Sequence, residues 1–149
     1  MNDPSTTKSI RVLVVDDEPA VLNLVTRVLG QAGYDTVSAP DGPSALTVAQ
    51  RSGPFDLLLT DVMMPDMTGD EVARKLREAE PMLKVLYLTA YSDHLFKTKV
   101  TLWEGEAFLD KPCSVHGLLE AVSLLLFGRV DPPVEAGLSI GPSRDPRRR

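Results

Sequence analysis

The chain is 149 residues long, 43% hydrophobic and 25% charged, with a net charge of −5 and a single cysteine, Cys113. That length fits one domain that buries roughly two-thirds of its unfolded surface, so neither a disulfide framework nor a structural metal is needed to hold a core. The acidic balance argues against a nucleic-acid-binding core, and neither a signal-peptide core nor an apolar run of the ~20 residues that span a membrane is visible, so the expectation is a soluble, cytoplasmic protein of a reducing compartment.

Ile10–Val15 (IRVLVV) is a short β-branched run that stops at Asp16-Asp17. Pro19 then opens a helical stretch in which Leu22, Val25, Leu29 and Ala32 share one face, and Gly33 closes it. Tyr34–Ala39 reads as a second strand. Gly42-Pro43 begins a helix that runs to about Arg51 and is closed by Gly53-Pro54. Phe55–Thr60 (FDLLLT) is a third strand, stopping at Asp61. A loop with Pro65, Thr68 and Gly69 leads into a helix over Asp70–Glu78. Lys84–Thr89 (KVLYLT) is a fourth strand, Ser92–Leu102 a more polar fourth helix, and Ala107–Asp110 a short fifth strand. Ser114–Phe127 is a fifth helix with Val115, Leu118, Leu119, Val122, Leu125 and Leu126 expected inward. The composition then changes. Residues 128–149 carry four prolines, three glycines and five arginines against three acids, with no apolar period, which reads as a disordered tail following a globular unit over Ser9–Phe127. Arg147–Arg149 read as a solvated end ahead of a contact with an acidic partner or nucleic acid.

Strands one, three and four are nearly continuous apolar runs, the pattern of strands covered on both faces. Alternation with helices then predicts an α/β fold: a five-stranded parallel sheet in a three-layer α/β/α sandwich, with strand order 2-1-3-4-5 expected. Ligands of such sheets bind beyond the carboxyl ends of the strands, and the residues at those ends are Asp16-Asp17, Asp61, Thr89 and Lys111. Three carboxylates in one crevice repel one another. A hard divalent cation such as Mg²⁺, which takes oxygen ligands and is commonly held by carboxylates plus phosphate, resolves that conflict. His94 and His116 lie outside the strand-end set. Carboxylates, a cation, an ammonium and a hydroxyl together describe a site for a phosphoryl group, which a carboxylate can itself accept.

Val12–Glu18 (VLVVDDE), Thr60–Gly69 (TDVMMPDMTG), Leu88-Thr89-Ala90 and Phe108–Pro112 (FLDKP), in this order on a βα repeat, resemble the response-regulator receiver domain of two-component signalling. The resemblance spans about Ser9–Phe127 and implies the flavodoxin-like fold. It implies that Asp61 is the phosphoacceptor, taking its phosphoryl group from a histidine kinase or a histidine phosphotransfer protein. Asp16 and Asp17 match the acidic pair that organises Mg²⁺, with Asp61 and the backbone carbonyl of Met63 as further ligands. Lys111 matches the lysine that pairs with phosphoryl oxygens, Thr89 the hydroxyl that moves onto them, and Phe108 the aromatic switch position. The Lys111–Pro112 bond is typically cis in the family. The implied output is a repacking of the face formed by helix four, strand five and helix five, toward a downstream protein target or a homodimer.

Two positions depart from the common pattern. Met63 and Tyr91 border the space where hydrolytic water would enter, and both are apolar or bulky, so the expectation is a long-lived phosphoryl group. Trp103 replaces a small residue before strand five and reads first as core packing, second as a partner contact. Taken singly, each motif has a plainer reading: Asp-Asp as a helix start, Thr89 as β-propensity, Lys111 as a solvated lysine, Phe108 as core and Cys113 as a filler beside Pro112. Their conjunction in register favours the switch. The expectation is therefore a stand-alone receiver that catalyses only its own phosphorylation and slow dephosphorylation, or a phosphorelay intermediate. A phosphorylation-independent scaffold is one rival. An aspartyl-nucleophile phosphatase is another, and it lacks the second aspartate expected at position 63. No Gly-x-x-x-x-Gly-Lys-Ser/Thr loop supports a nucleotide switch.

Overall fold

The computed structural model describes residues 9–90, 105–111 and 114–128. Along the chain these residues form β1 (Arg11–Val15), α1 (Pro19–Gln31), β2 (Asp35–Ala39), α2 (Gly42–Ser52), β3 (Leu57–Thr60), α3 (Gly69–Ala79), β4 (Lys84–Thr89), β5 (Glu106–Asp110) and α4 (Val115–Phe127). The expected fourth helix over Ser92–Leu102, with Tyr91, His94 and Trp103, lies outside the described residues, as do Pro112, Cys113 and the tail beyond Gly128. The expected cis bond before Pro112 falls there too; among the described residues the cis bond is Gly53–Pro54.

All five strands are parallel, in the order β2-β1-β3-β4-β5, as the sequence predicts. The two-residue period of a strand sends alternate side chains to opposite faces. Leu13, Val15, Leu58, Val85 and Tyr87 pack with Ala45 of α2 and Val72 and Ala73 of α3. Val12, Val14, Leu57, Leu59, Leu86 and Leu88 pack with Val25 and Leu29 of α1 and Leu118 and Val122 of α4. Two cores back one sheet, which is why β1, β3 and β4 carry no polar alternation. Each fully buried aliphatic side chain is worth about 1.5–3 kcal/mol, so the sheet's centre carries the stability and its edges are left for polar groups.

Two details of the helices differ from the periodic reading. In α1, Val28 takes the inward place expected of Ala32, which is the exposed C-cap. In the last helix Val115 is 50% exposed instead of inward, because it is the first residue after the N-cap Ser114 and projects past the end of the sheet. Chain order reverses between β1 and β3: one connection runs outward to β2, the other to β4. Their carboxyl ends therefore flank a crevice that no crossover covers.

Candidate functional site

The register of the sheet assembles the site. Val15 lies beside both Ala39 and Thr60, so Asp16 and Asp61, each one residue further, emerge side by side. The Asp61 N–H donates to the Val15 carbonyl at 3.0 Å and the Asp16 N–H to that of Ala39 at 3.3 Å, extending the ladder by one rung on each strand. Thr89 pairs with Asp110, and the Lys111 N–H donates to the Thr89 carbonyl at 2.9 Å. That bond sets Lys111 at the same edge.

Behind Asp61 the chain turns tightly into α3. Gly69 donates its N–H to the Val62 carbonyl at 2.8 Å, and a Cβ at position 69 would stand 2.0 Å from the Asp61 carbonyl oxygen. No side chain fits there, which gives the glycine of the Thr60–Gly69 segment its physical reason. The Thr60 hydroxyl donates to the same carbonyl at 2.9 Å.

Asp16 and Asp61 are buried, at 2% and 6% exposure, and Asp17 is exposed. One carboxylate oxygen from each of the three lies within 4.8 Å of the others. Lys111 Nζ reaches into the group, 2.9 Å from Asp16 Oδ2 and 3.5 Å from Asp61 Oδ2. Burial pushes the Asp61 carboxyl up to about 6; Lys111 pulls it down, and the charges of Asp16 and Asp17 add to the rise. Burial also works against the Lys111 charge, but hydrogen bonds to Asp16 and Glu18 and the charges of Asp61 and Asp16 outweigh it and hold the ammonium above its ordinary pKa. Among the described residues, one cation stands with four carboxylates, which leaves the site short of positive charge. Three convergent carboxylate oxygens with no soft donor among them suit a hard cation, so the donor set fits a metal of that class.

The remaining residues expected at the site fall around it. Thr89 is fully buried at the end of β4. Phe108 is half-buried, beside Tyr87 across the β4–β5 ladder and against the core that contains it. The Met63 side chain is 37% exposed. Tyr91 lies outside the described residues. One participant escaped the sequence reading: Glu18, whose Oε1 is 3.1 Å from Lys111 Nζ and whose N–H donates to Asp16 Oδ1 at 2.9 Å. The available signal was its place at the N-cap before Pro19, where glutamate is not a favoured cap.

Residues 12–123 match the model of the response regulator receiver domain. The chain is 34% identical over 134 residues to the transcriptional regulatory protein TrcR of Mycobacterium tuberculosis, covering 89% of this chain and 52% of that one. It spans about half the length of the transcriptional regulators it matches. It is 30% identical over 116 residues to the response regulator receiver protein CpdR of Brucella abortus, covering 78% of this chain and 96% of the relative. Among solved structures, the response regulator protein TrrA of Thermotoga maritima, in complex with Mg(2+)-BeF, superposes with a TM-score of 0.68 at 36% identity, covering 78% of this chain and 99% of that one. The order of the strands, the acidic crevice at their carboxyl ends and these matches agree: the chain belongs to the response regulator receiver domain family of two-component systems.

Proposed function

We propose that this receiver domain is a phosphorylation-activated switch, with Asp61 as the phosphoacceptor. The observation that carries the reading is the packing of Asp16, Asp17 and Asp61 within 4.8 Å of one another, with Lys111 Nζ on Asp16 and Asp61. The assembly has too little positive charge for its carboxylates and room in its chemistry for a metal and an anion.

An Asp61 carboxylate oxygen attacks the phosphorus of a phosphohistidine on a histidine kinase or phosphotransfer protein. The O–P bond forms as the P–N bond breaks, and the imidazole leaves with the electron pair and takes up a proton. Asp16, Asp17, Asp61 and the Met63 carbonyl would hold Mg²⁺, which when bound neutralises charge on the transferring group. Lys111 pairs with the new phosphoryl oxygens, and Asp16 keeps it oriented. The added group carries about −1.5 to −2 charges and draws in the Thr89 hydroxyl, so that Phe108 enters the space Thr89 leaves. The two packings differ in free energy by their difference in affinity for the phosphoryl group, and that difference sets the size of the switch. The partner approaches beside α1 and α4, where a groove of about 370 Å³ lined by Val21, Leu24, Val25, Val28 and Leu118 opens next to Glu18 and Lys111.

The chain so described turns over no substrate beyond its own phosphoryl group. The phosphatase alternative is disfavoured because residue 63, where its general acid belongs, is a half-exposed methionine. The test is intact-mass spectrometry after incubation with acetyl phosphate and Mg²⁺. One added phosphoryl group on the wild type and none on Asp61→Ala is expected, and Met63→Asn should shed it faster. Unmodified wild type, or a label that survives Asp61→Ala, would overturn the reading and favour a phosphorylation-independent scaffold.

A further inference from the structure

Lys111 has no donor left for a newcomer. An ammonium carries three N–H groups, and three carboxylates stand around this one: Asp16 Oδ2 at 2.9 Å, Glu18 Oε1 at 3.1 Å and Asp61 Oδ2 at 3.5 Å. A phosphoryl oxygen on Asp61 takes over the long Asp61 pair, and it gains a second ammonium N–H only by displacing another partner. The Asp16 and Asp61 side chains are buried, whereas that of Glu18 is 62% exposed. Water replaces the partner of an exposed ion pair with little loss, so the Glu18 pair is the one that opens.

The start of α1 points the same way. Glu18 is the N-cap residue, yet its side chain makes no capping hydrogen bond. Among the other described helix starts, Asp41 accepts from Ser44 N, Ser114 accepts from Gly117 N, and the Thr68 N–H donates to Glu71 Oε1. At α1 the acidic side chain reaches across to Lys111, 93 positions away in sequence, while its own N–H is anchored on Asp16 Oδ1.

We propose that Glu18 is a positioning residue that restrains Lys111 in the resting protein and competes with the phosphoryl group for it. The inference rests on the switch reading above and adds the group that sets how readily Lys111 is released. Removing the Glu18 charge frees one ammonium N–H for the incoming anion.

The experiment uses the full chain, with beryllium fluoride and Mg²⁺ as the tetrahedral anion probe, followed by calorimetry at low salt. Glu18→Gln should bind the probe about two- to fivefold more tightly than wild type, the range of an exposed ion pair, and the gap should narrow as salt is raised. Glu18→Asp, a better cap with a shorter reach, should also bind more tightly and should raise the thermal midpoint. In chelator without the probe, Glu18→Gln and Lys111→Gln should be non-additive in unfolding free energy. Equal or weaker probe binding by Glu18→Gln, or additive unfolding effects, overturns the inference and leaves the switch standing. No Mg²⁺-dependent binding by either wild type or Glu18→Gln overturns the switch itself and this inference with it.

Discussion

At the amino edge of the sheet, Arg77 in the last turn of α3 meets Glu106 at the start of β5, Nη1 to Oε2 at 2.8 Å, with side chains 10% and 1% exposed. The guanidinium also donates to the Leu83 carbonyl through Nε at 3.0 Å and Nη2 at 2.8 Å, and the Tyr87 hydroxyl donates to Glu106 at 3.4 Å. At the carboxyl edge, among the described residues, Asp16, Asp17, Glu18 and Asp61 face one cation, Lys111. Both edges bury charge. Among the described residues the first pairs a cation directly with an anion, the Leu83 carbonyl accepting from the one and the Tyr87 hydroxyl donating to the other, and it ties α3, β4 and β5 together. Among the described residues the second carries surplus negative charge, which a bound cation would relieve. A buried cluster that is complete in itself holds the fold; one that is incomplete is built to receive.

That contrast can be broken at either edge. The largest effect is expected from Arg77→Ala, which takes the guanidinium away from a nearly inaccessible Glu106 and should lower unfolding free energy by about 3–5 kcal/mol in denaturant titration. A loss under about 1 kcal/mol would mean that the amino-edge pair behaves as a surface pair. At the other edge the sign reverses. In chelator at neutral pH, Asp61→Asn removes a carboxylate that burial and its acidic neighbours hold up at about 6, and it should stabilise the protein by about 1–3 kcal/mol. A destabilised Asp61→Asn would show that Lys111 already satisfies the cluster. The smallest effect sharpens the comparison within the carboxyl edge itself. Asp41 accepts from Ser44 N at 2.7 Å, and its carboxyl is held below the ordinary value of 3.8 by that backbone hydrogen bond and by one from the Ser44 side chain. Asp41→Ala should cost about 1 kcal/mol. Because the folded pKa is the lower one, this contribution is complete above 3.8 and disappears as the pH falls through the folded value. Denaturation of both proteins across that range checks it, and a constant difference would count against the cap.

The sheet was legible because its central strands are buried on both faces and so read as unbroken apolar runs. The site was legible because each strand hands its chemistry to the residue just past its end, so Asp16, Asp61, Thr89 and Lys111 could be lined up from strand boundaries alone. Sequence reasoning missed what depends on side-chain reach. Glu18 drew no reading of its own, because Lys111 lies 93 residues away. Arg77 and Glu106, 29 positions apart, were not paired by any sequence signal, and Glu106 is the first residue of β5, which the apolar signal began at Ala107. Val115 was misread because helical periodicity describes an endless helix, and this one begins where the sheet has already stopped.

The naked backbone of Gly69 has a mechanical consequence. With the first residue of α3 seated directly on the Asp61 carbonyl, where a methyl group would stand 2.0 Å from the oxygen, that helix works as a buttress and leaves Asp61 no slack on its own side. On the proposed switch reading, a displacement generated at the carboxylate would therefore be directed away from α3, toward Thr89 and Lys111 at the ends of β4 and β5. The half of the molecule that yields is thus chosen by the half that is braced.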